Sequence, residues 1–194
     1  MRPIERSEIL PLEEWERVRA EVRARMIERK KRRRVAIGPL LTVVFENRET
    51  VLLQIQEMLR TERIRDERAI AHEIATYGEL VPASGELSAT LFVEVEDREE
   101  RGRWLTRLAG LGEHVWLRVG ADRVRARFLV QPGEERTRLP AVNFFKLPVG
   151  PDTEGRLRDP AVRVALEVDH PAYEASAELP MAVRMELAGD LLAP

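Results

Sequence analysis

Cysteine is missing from this sequence of 194 residues, and histidine and lysine are scarce. Without cysteine the chain can form no disulfide, hold no thiolate-bound zinc or iron–sulfur cluster, and use no cysteine nucleophile. The three histidines, His72, His114 and His170, are scattered, and none belongs to a His-Glu-x-x-His motif. We therefore predict no metal site and no cofactor.

Long apolar runs are also missing. No segment approaches the roughly 18 apolar residues of a membrane-spanning helix. The first residues, Met1-Arg2-Pro3-Ile4-Glu5-Arg6, carry charges where a signal peptide needs an apolar stretch. Glycine-rich phosphate loops and Gly-x-Ser-x-Gly motifs are missing as well. These features predict a cytoplasmic protein with no membrane anchor, and they favour a non-enzymatic role.

The residues that are present can build a core, since 44% are hydrophobic and 34% are charged. The length fits one domain spanning 1–194. A net charge of −2 gives no overall field that would attract nucleic acid. Arginine greatly outnumbers lysine, which is explained equally by heat adaptation and by a GC-rich genome.

The hydrophobic pattern divides the chain into a mainly helical half, 1–80, and a mainly strand half, 86–194. A long amphipathic helix is predicted over 11–33, and Asn47 suits the N-cap of another that runs to about Arg63. Alternating residues then predict several strands. The fold class is therefore α+β, with a largely antiparallel sheet, helices packed mainly on one face and a long N-terminal helix.

The segment 114–130 is predicted to be a tight hairpin. Gly120-Ala121 suits a two-residue type II′ turn, which needs positive φ at its first position. This register pairs Val119 with Asp122 and His114 with Arg127, and it collects the polar side chains on one face. That face holds His114, Trp116, Arg118, Arg123, Arg125 and Arg127.

Arginines that face each other across strands repel, so this surface needs acidic neighbours or a bound anion. Glu94 and Glu96 are the expected neighbours. The alternative is a solvated face on which Arg125 stacks on Trp116. The basic run Arg29–Arg34 has a similar pair of interpretations, nucleic-acid binding or cations that complement a helix C-terminus. We favour the solvated face for the arginine-rich surface and the helix C-terminus for the basic run.

If one unbroken helix covers residues 49–63, Glu62 lies in the middle of the apolar stripe that contains Val51 and Ile55. A buried ionised carboxylate costs several kcal/mol unless it is paired. We therefore expect a partner from Arg33, Arg34 or His170. The alternative is that the helix ends before Glu62 and the carboxylate meets water.

Four stretches of the sequence resemble a bacterial family of uncharacterised proteins catalogued as domain of unknown function 3501. They are Arg33-Arg34-Val35-Ala36-Ile37-Gly38, Gln54 through Arg63, Glu94 through Arg101, and Asp169-His170-Pro171-Ala172-Tyr173. The resemblance covers almost the whole chain in the same order. The family has no established activity, so the resemblance implies no catalytic residue. It implies an accessory role beside rubrerythrin-like and iron–sulfur oxidoreductase proteins, in redox or peroxide defence.

Three functions stay open. The first is a non-enzymatic accessory protein that binds a redox protein partner through a candidate pocket made of Gln54, Gln56, Glu57, Arg60, Glu62, Asp169, His170 and Tyr173. The second is a small enzyme or metal-binding protein that uses His170 and a glutamate of the 49–62 helix. The third is an anion or nucleic-acid binder that uses Arg118, Arg123, Arg125 and Arg127 with the basic run.

Overall fold

A computed structural model describes residues 1–129, 137–150 and 152–192. In the chain order of these residues, the elements are α1 (Leu12–Lys31), β1 (Arg34–Ile37), β2 (Leu41–Glu46), α2 (Arg48–Thr61), α3 (Glu67–Gly78), β3 (Glu86–Val93), α4 (Arg98–Arg107), β4 (Val115–Val119), β5 (Asp122–Arg125), β6 (Arg127–Leu129), β7 (Val142–Pro148), α5 (Thr153–Arg158), β8 (Val164–His170), β9 (Tyr173–Glu178) and α6 (Met181–Leu192). Short 3-10 turns cover Arg6–Glu8 and Leu111–Glu113.

The strands form two antiparallel sheets. The first sheet has the order β1-β2-β3-β7-β6, and the second sheet has the order β5-β4-β8-β9. The predicted α+β class, the antiparallel pairing and the long N-terminal helix are confirmed. The hydrophobic pattern alone did not reveal that the strands divide between two sheets.

The main core includes inward-facing side chains from both sheets. Phe45, Leu91 and Phe145 of the first sheet are fully buried, as are Leu117 and Leu166 of the second, and all five belong to one cluster. Each of these strands alternates apolar residues toward the core with other residues on the opposite face, as half-buried antiparallel strands do.

The predicted hairpin at Gly120-Ala121 is confirmed over β4 and β5. Val119 pairs with Asp122 and Trp116 pairs with Arg125, and Gly120 has the expected positive φ of 62°. The predicted pairing of His114 with Arg127 is wrong. After Ala126 the chain leaves the second sheet, so that Arg127 pairs with Lys146 in the first sheet. The predicted last residue of this strand, Val130, lies outside the described residues.

The outer face of the first sheet is partly polar, and helices cover it. Thr42, Glu46, Ser88 and Thr90 on this face are all nearly inaccessible to solvent. Above them, α2 and α3 share a second, smaller apolar cluster with the N-terminal segment. These two helices and the N-terminal segment therefore form a helical layer over the first sheet.

The end of α2 corrects the prediction for Glu62. The N-cap is Asn47, as predicted, since its side chain accepts a hydrogen bond from the Thr50 amide. At the other end Arg63 adopts a positive φ of 54°, and the Ile64 amide donates to the Leu59 carbonyl at 2.9 Å. This is a Schellman motif, which stops the helix.

Glu62 is consequently exposed, and the prediction that it is buried against Arg33, Arg34 or His170 is wrong. Arg33 instead binds Asp190 and Glu186, and Arg34 binds Glu94.

Candidate binding groove

The residues of the predicted pocket lie in two separate places. Gln54, Gln56, Glu57 and Arg60 are on α2, over the outer face of the first sheet. Asp169, His170 and Tyr173 are in β8 and β9 of the second sheet. Among the described residues no hydrogen bond or ion pair joins the two sets. A site that combines His170 with a glutamate of α2 is therefore not assembled.

Gln56 fastens the N-terminal segment to α2. Its side chain is 2% exposed. The Leu10 amide donates to Gln56 Oε1 at 3.0 Å, and Gln56 Nε2 donates to the Leu10 carbonyl at 3.0 Å. Both polar groups of Leu10 are thus satisfied by one side chain, which is a structural role.

We expect Gln56→Leu to lower the free energy of unfolding by roughly 2 kcal/mol, because it leaves the partly buried amide and carbonyl of Leu10 without their partner. Chemical denaturation followed by circular dichroism measures the change. Gln54→Leu is the matched control on the same helix and should change stability by less than about 0.5 kcal/mol. Equal losses in the two variants would contradict the role given to Gln56.

Glu57 and Arg60 join α2 to α1. Glu57 accepts hydrogen bonds from Trp15 Nε1 at 3.0 Å and from Arg19 at 2.7 and 2.9 Å. The Arg19 hydrogen bond is the main reason that the pKa of Glu57 lies below its ordinary value. Arg60 contacts Glu16 at 2.6 Å. These side chains satisfy one another across the helix–helix contact.

Asp169 is the centre of a polar cluster on the second sheet. It accepts hydrogen bonds from Trp116 Nε1 at 3.0 Å and from Arg123 at 2.8 Å, and His114 Nδ1 lies 3.1 Å away. Burial raises the pKa of Asp169, but these three hydrogen bonds outweigh it, and the net shift is downward. Asp169 is therefore an ionised acceptor held by its neighbours.

The side chains of His170 and Tyr173 form hydrogen bonds with backbone groups. His170 Nε2 lies 3.1 Å from the Ala109 carbonyl, and His170 Nδ1 accepts from the Ala172 amide at 3.1 Å. The Tyr173 hydroxyl donates to the Ile37 carbonyl at 2.5 Å. With both ring nitrogens occupied, this geometry does not favour an acid/base role for His170. Within residues 1–129, 137–150 and 152–192 no three acidic or histidine side chains converge as metal ligands.

The arginine-rich face has acidic neighbours, but not the expected ones. Glu167 on β8 contacts Arg118 at 2.5 Å and Arg123 at 3.0 Å, whereas Glu94 binds Arg34. The expected stacking partner is also wrong, since Arg123 rather than Arg125 covers the Trp116 ring, at 4.3 Å.

The remaining two arginines do not extend this face into an anion site. Arg125 pairs with Glu113 at 2.5 Å, and Arg127 lies exposed in the other sheet. The ion pairs neutralise most of the surface, which does not favour a bound anion. Carboxylates also neutralise the basic run. Its residues that form ion pairs are Arg29, Lys31, Arg32, Arg33 and Arg34.

A groove that the sequence analysis did not predict lies between α1, α2 and the outer face of the first sheet. Its volume is about 480 Å³. The apolar side chains that line it are Met26, Ile27, Leu53, Met58, Phe92, Val142 and Phe144. The polar ones are Arg23, Lys30, Glu46, Gln54, Glu57, Thr61 and Thr90. Of the predicted pocket, only Gln54 and Glu57 belong to this lining.

Glu46 stands out among the polar residues of the groove. It is 3% exposed, and its Oε1 accepts a hydrogen bond from Thr90 Oγ1 at 2.7 Å. Its Oε2 is buried and has no hydrogen-bond partner among the described residues. Buried polar atoms are nearly always hydrogen-bonded. The hydroxyl of Ser88, which pairs with Glu46 across the strands, is also buried without a partner but does not donate to Glu46, so Glu46 Oε2 can accept a hydrogen bond from a ligand.

The comparisons with known proteins identify the family and leave its activity open. A model described as "Protein of unknown function (DUF3501)" matches residues 3–191. The chain belongs to this family. A crystal structure of a novel protein of unknown function from Burkholderia pseudomallei is similar to it, with a TM-score of 0.89 and 35% sequence identity, over 98% of this chain and 100% of the other. A search of curated proteins finds no match.

The helices within the described ranges include none with the length and apolar composition of a membrane span.

Proposed function

We propose that this protein is a non-enzymatic binding protein that holds a small, mostly apolar ligand in the groove between α1, α2 and the first sheet. The observation that carries the proposal is the combination of an apolar lining with one buried carboxylate whose second oxygen has no partner in the described part of the chain. Small-molecule sites have this composition, with apolar walls and a few placed polar groups.

The mouth of the groove supports the same function. Ile27 and Val142 both line the groove and are 52% and 44% exposed. Contiguous apolar surface beside a concavity commonly marks a binding site, and these two side chains add apolar surface at the groove. A ligand that covers these side chains would remove them from water, which provides part of the binding energy.

An accessory role for a cytoplasmic redox protein partner stays a prediction from the family resemblance. It is compatible with a binding protein, since a ligand carrier needs no catalytic groups of its own. Affinity capture from the native cytoplasm, using the full chain as bait, would test this part of the proposal separately.

The groove is tested by nuclear magnetic resonance of protein labelled with carbon-13 at the methionine methyl groups. Met26 and Met58 line the groove, whereas Met181 is an exposed residue of α6 outside it. In titrations with octylamine, octanol and octanoate, we expect at least one probe to shift the Met26 and Met58 signals in a saturable way and to leave Met181 unchanged. If no probe shifts Met26 or Met58, the proposed function is wrong.

A further inference from the structure

We propose that the groove selects an organic ammonium ligand, meaning a primary or secondary amine attached to an apolar body, and that Glu46 is the residue that selects it. This inference rests on the binding function proposed above and adds the class of ligand. The inference rests on a comparison of the surroundings of Glu46 with those of Glu94, a glutamate that directly follows β3.

Glu94 provides the comparison within the chain. Like Glu46, it accepts a hydrogen bond from a threonine hydroxyl, since Thr42 Oγ1 lies 2.7 Å from Glu94 Oε2. Its other oxygen is bound by the Arg34 guanidinium at 2.5 Å. Glu94 is therefore satisfied by a neutral donor and a cation.

Glu46 has the neutral donor but has no cationic partner among the residues that the structure describes. Thr90 occupies its Oε1, and its Oε2 has no partner within the described part of the chain. The buried Arg33 is close by, but it donates to the backbone carbonyls of Phe45 and Glu46 rather than to the Glu46 carboxylate. Its charge is balanced by Asp190 and Glu186.

The two cations of the groove do not supply the missing contact. Arg23 lies 3.8 Å from Glu57. Lys30 and Glu46 both line the groove but form no ion pair among the described residues. A ligand ammonium would provide a donor and a positive charge together, and charge-assisted hydrogen bonds are the stronger kind. A neutral hydroxyl would satisfy the free oxygen but would leave the buried charge uncompensated.

The apolar side chains of the groove indicate the chemical nature of the ligand body that is attached to the ammonium group. Phe92 and Phe144 of the first sheet and Met58 of α2 surround the space with apolar and polarisable side chains. Such walls favour an alkyl or aromatic body. Arg23 and Lys30 would attract an anion instead, so an anionic probe must be part of the test.

The test compares octylamine, octanol and octanoate binding to the full chain by the methionine signals and by calorimetry. We expect octylamine to bind about tenfold more tightly than octanol or octanoate. Glu46→Gln should weaken octylamine binding by about tenfold and change octanol binding by less than about twofold. Glu94→Gln is the matched control and should leave both affinities unchanged.

The possible failures are distinguishable. If octanol or octanoate binds as tightly as octylamine, or if Glu46→Gln binds octylamine as the parent does, the ligand class is wrong while the groove still binds. If no probe shifts Met26 or Met58, the binding function itself is wrong. The order of affinities in the parent protein requires no variant, so the inference stays testable even if Glu46→Gln fails to fold.

Discussion

Replacing Arg33 with methionine is expected to lower the free energy of unfolding by roughly 4 kcal/mol. The Arg33 side chain is 0% exposed, and its Nε donates to the Phe45 carbonyl at 2.9 Å. Its guanidinium also binds Asp190 on α6 and lies 3.3 Å from Glu186. Burial raises the pKa of Asp190 above its ordinary value, and Arg33 is the main opposing influence. Without the arginine, the Asp190 carboxylate would be buried with no cation.

Arg32 gives the matched control for this prediction. It is the preceding residue and also contacts Glu186, at 3.2 Å, but its side chain is 61% exposed. Solvent screens such pairs, so Arg32→Met should cost less than about 1 kcal/mol. Denaturant unfolding of both variants measures the difference. A similar loss in both would show that the buried network of Arg33 contributes little. Adding Asp190→Leu to Arg33→Met should recover part of the loss, since both buried charges are then removed.

Substituting alanine for Gly38 is expected to destabilise the protein by roughly 3 kcal/mol. Gly38 has a φ of 64°, which disfavours any residue with a Cβ. A Cβ at this position would also overlap the Tyr173 hydroxyl oxygen. That hydroxyl donates to the Ile37 carbonyl, so moving the tyrosine away would break a buried hydrogen bond. The cost therefore combines backbone strain with the loss of a contact between β9 and the turn after β1.

A double-mutant cycle with Tyr173→Phe separates the two contributions. Tyr173→Phe alone should cost roughly 1 kcal/mol, because the Ile37 carbonyl loses its donor. In the Tyr173→Phe background the overlap with the hydroxyl is gone, so Gly38→Ala should cost only about 1 kcal/mol, mostly for the positive φ. Additive losses would mean that the hydroxyl does not exclude a side chain at residue 38.

Local signals predicted much of the secondary structure correctly. Asn47 begins α2 because its short side chain accepts a hydrogen bond from the Thr50 amide, and this pattern is visible in the sequence. Gly120 turns the β4–β5 hairpin because glycine tolerates positive φ, which is also a local property. The long helix α1 follows from the spacing of residues such as Trp15 and Met26.

The errors concern residues whose surroundings depend on distant segments. Gln56 is at the edge of an apolar stripe in the sequence, but the segment that contains Leu10 packs over it and buries it. Arg127 follows the alternation of its strand, yet it pairs with Lys146 of another sheet. Glu62 was misplaced for a different reason, since Arg63 adopts a positive φ without being a glycine. A non-glycine residue at that position gives no warning that the helix ends.

The groove was missed because three separate segments create it. Glu46 ends an apolar strand directly before a helix cap, so it is easily interpreted as a boundary residue that faces water. Its burial requires both the helical layer above it and Thr90 on the neighbouring strand. No pattern within β2 contains that information. The sequence analysis identified the adjacent Asn47 as a helix cap. It gave no role to Glu46, whose contact with Thr90 marks the groove.

The strands enter the two sheets alternately along the chain, and this order governs how the protein can fold while it is being synthesised. β1 to β3 belong to the first sheet, β4 and β5 to the second, β6 and β7 to the first again, and β8 and β9 to the second. A nascent chain that has emerged only as far as β7 therefore has the second sheet as a two-stranded hairpin, which is marginally stable in water. The apolar face that β2 and β3 turn toward that sheet is then only partly covered, and a chaperone that recognises exposed apolar strands would find its target during this interval.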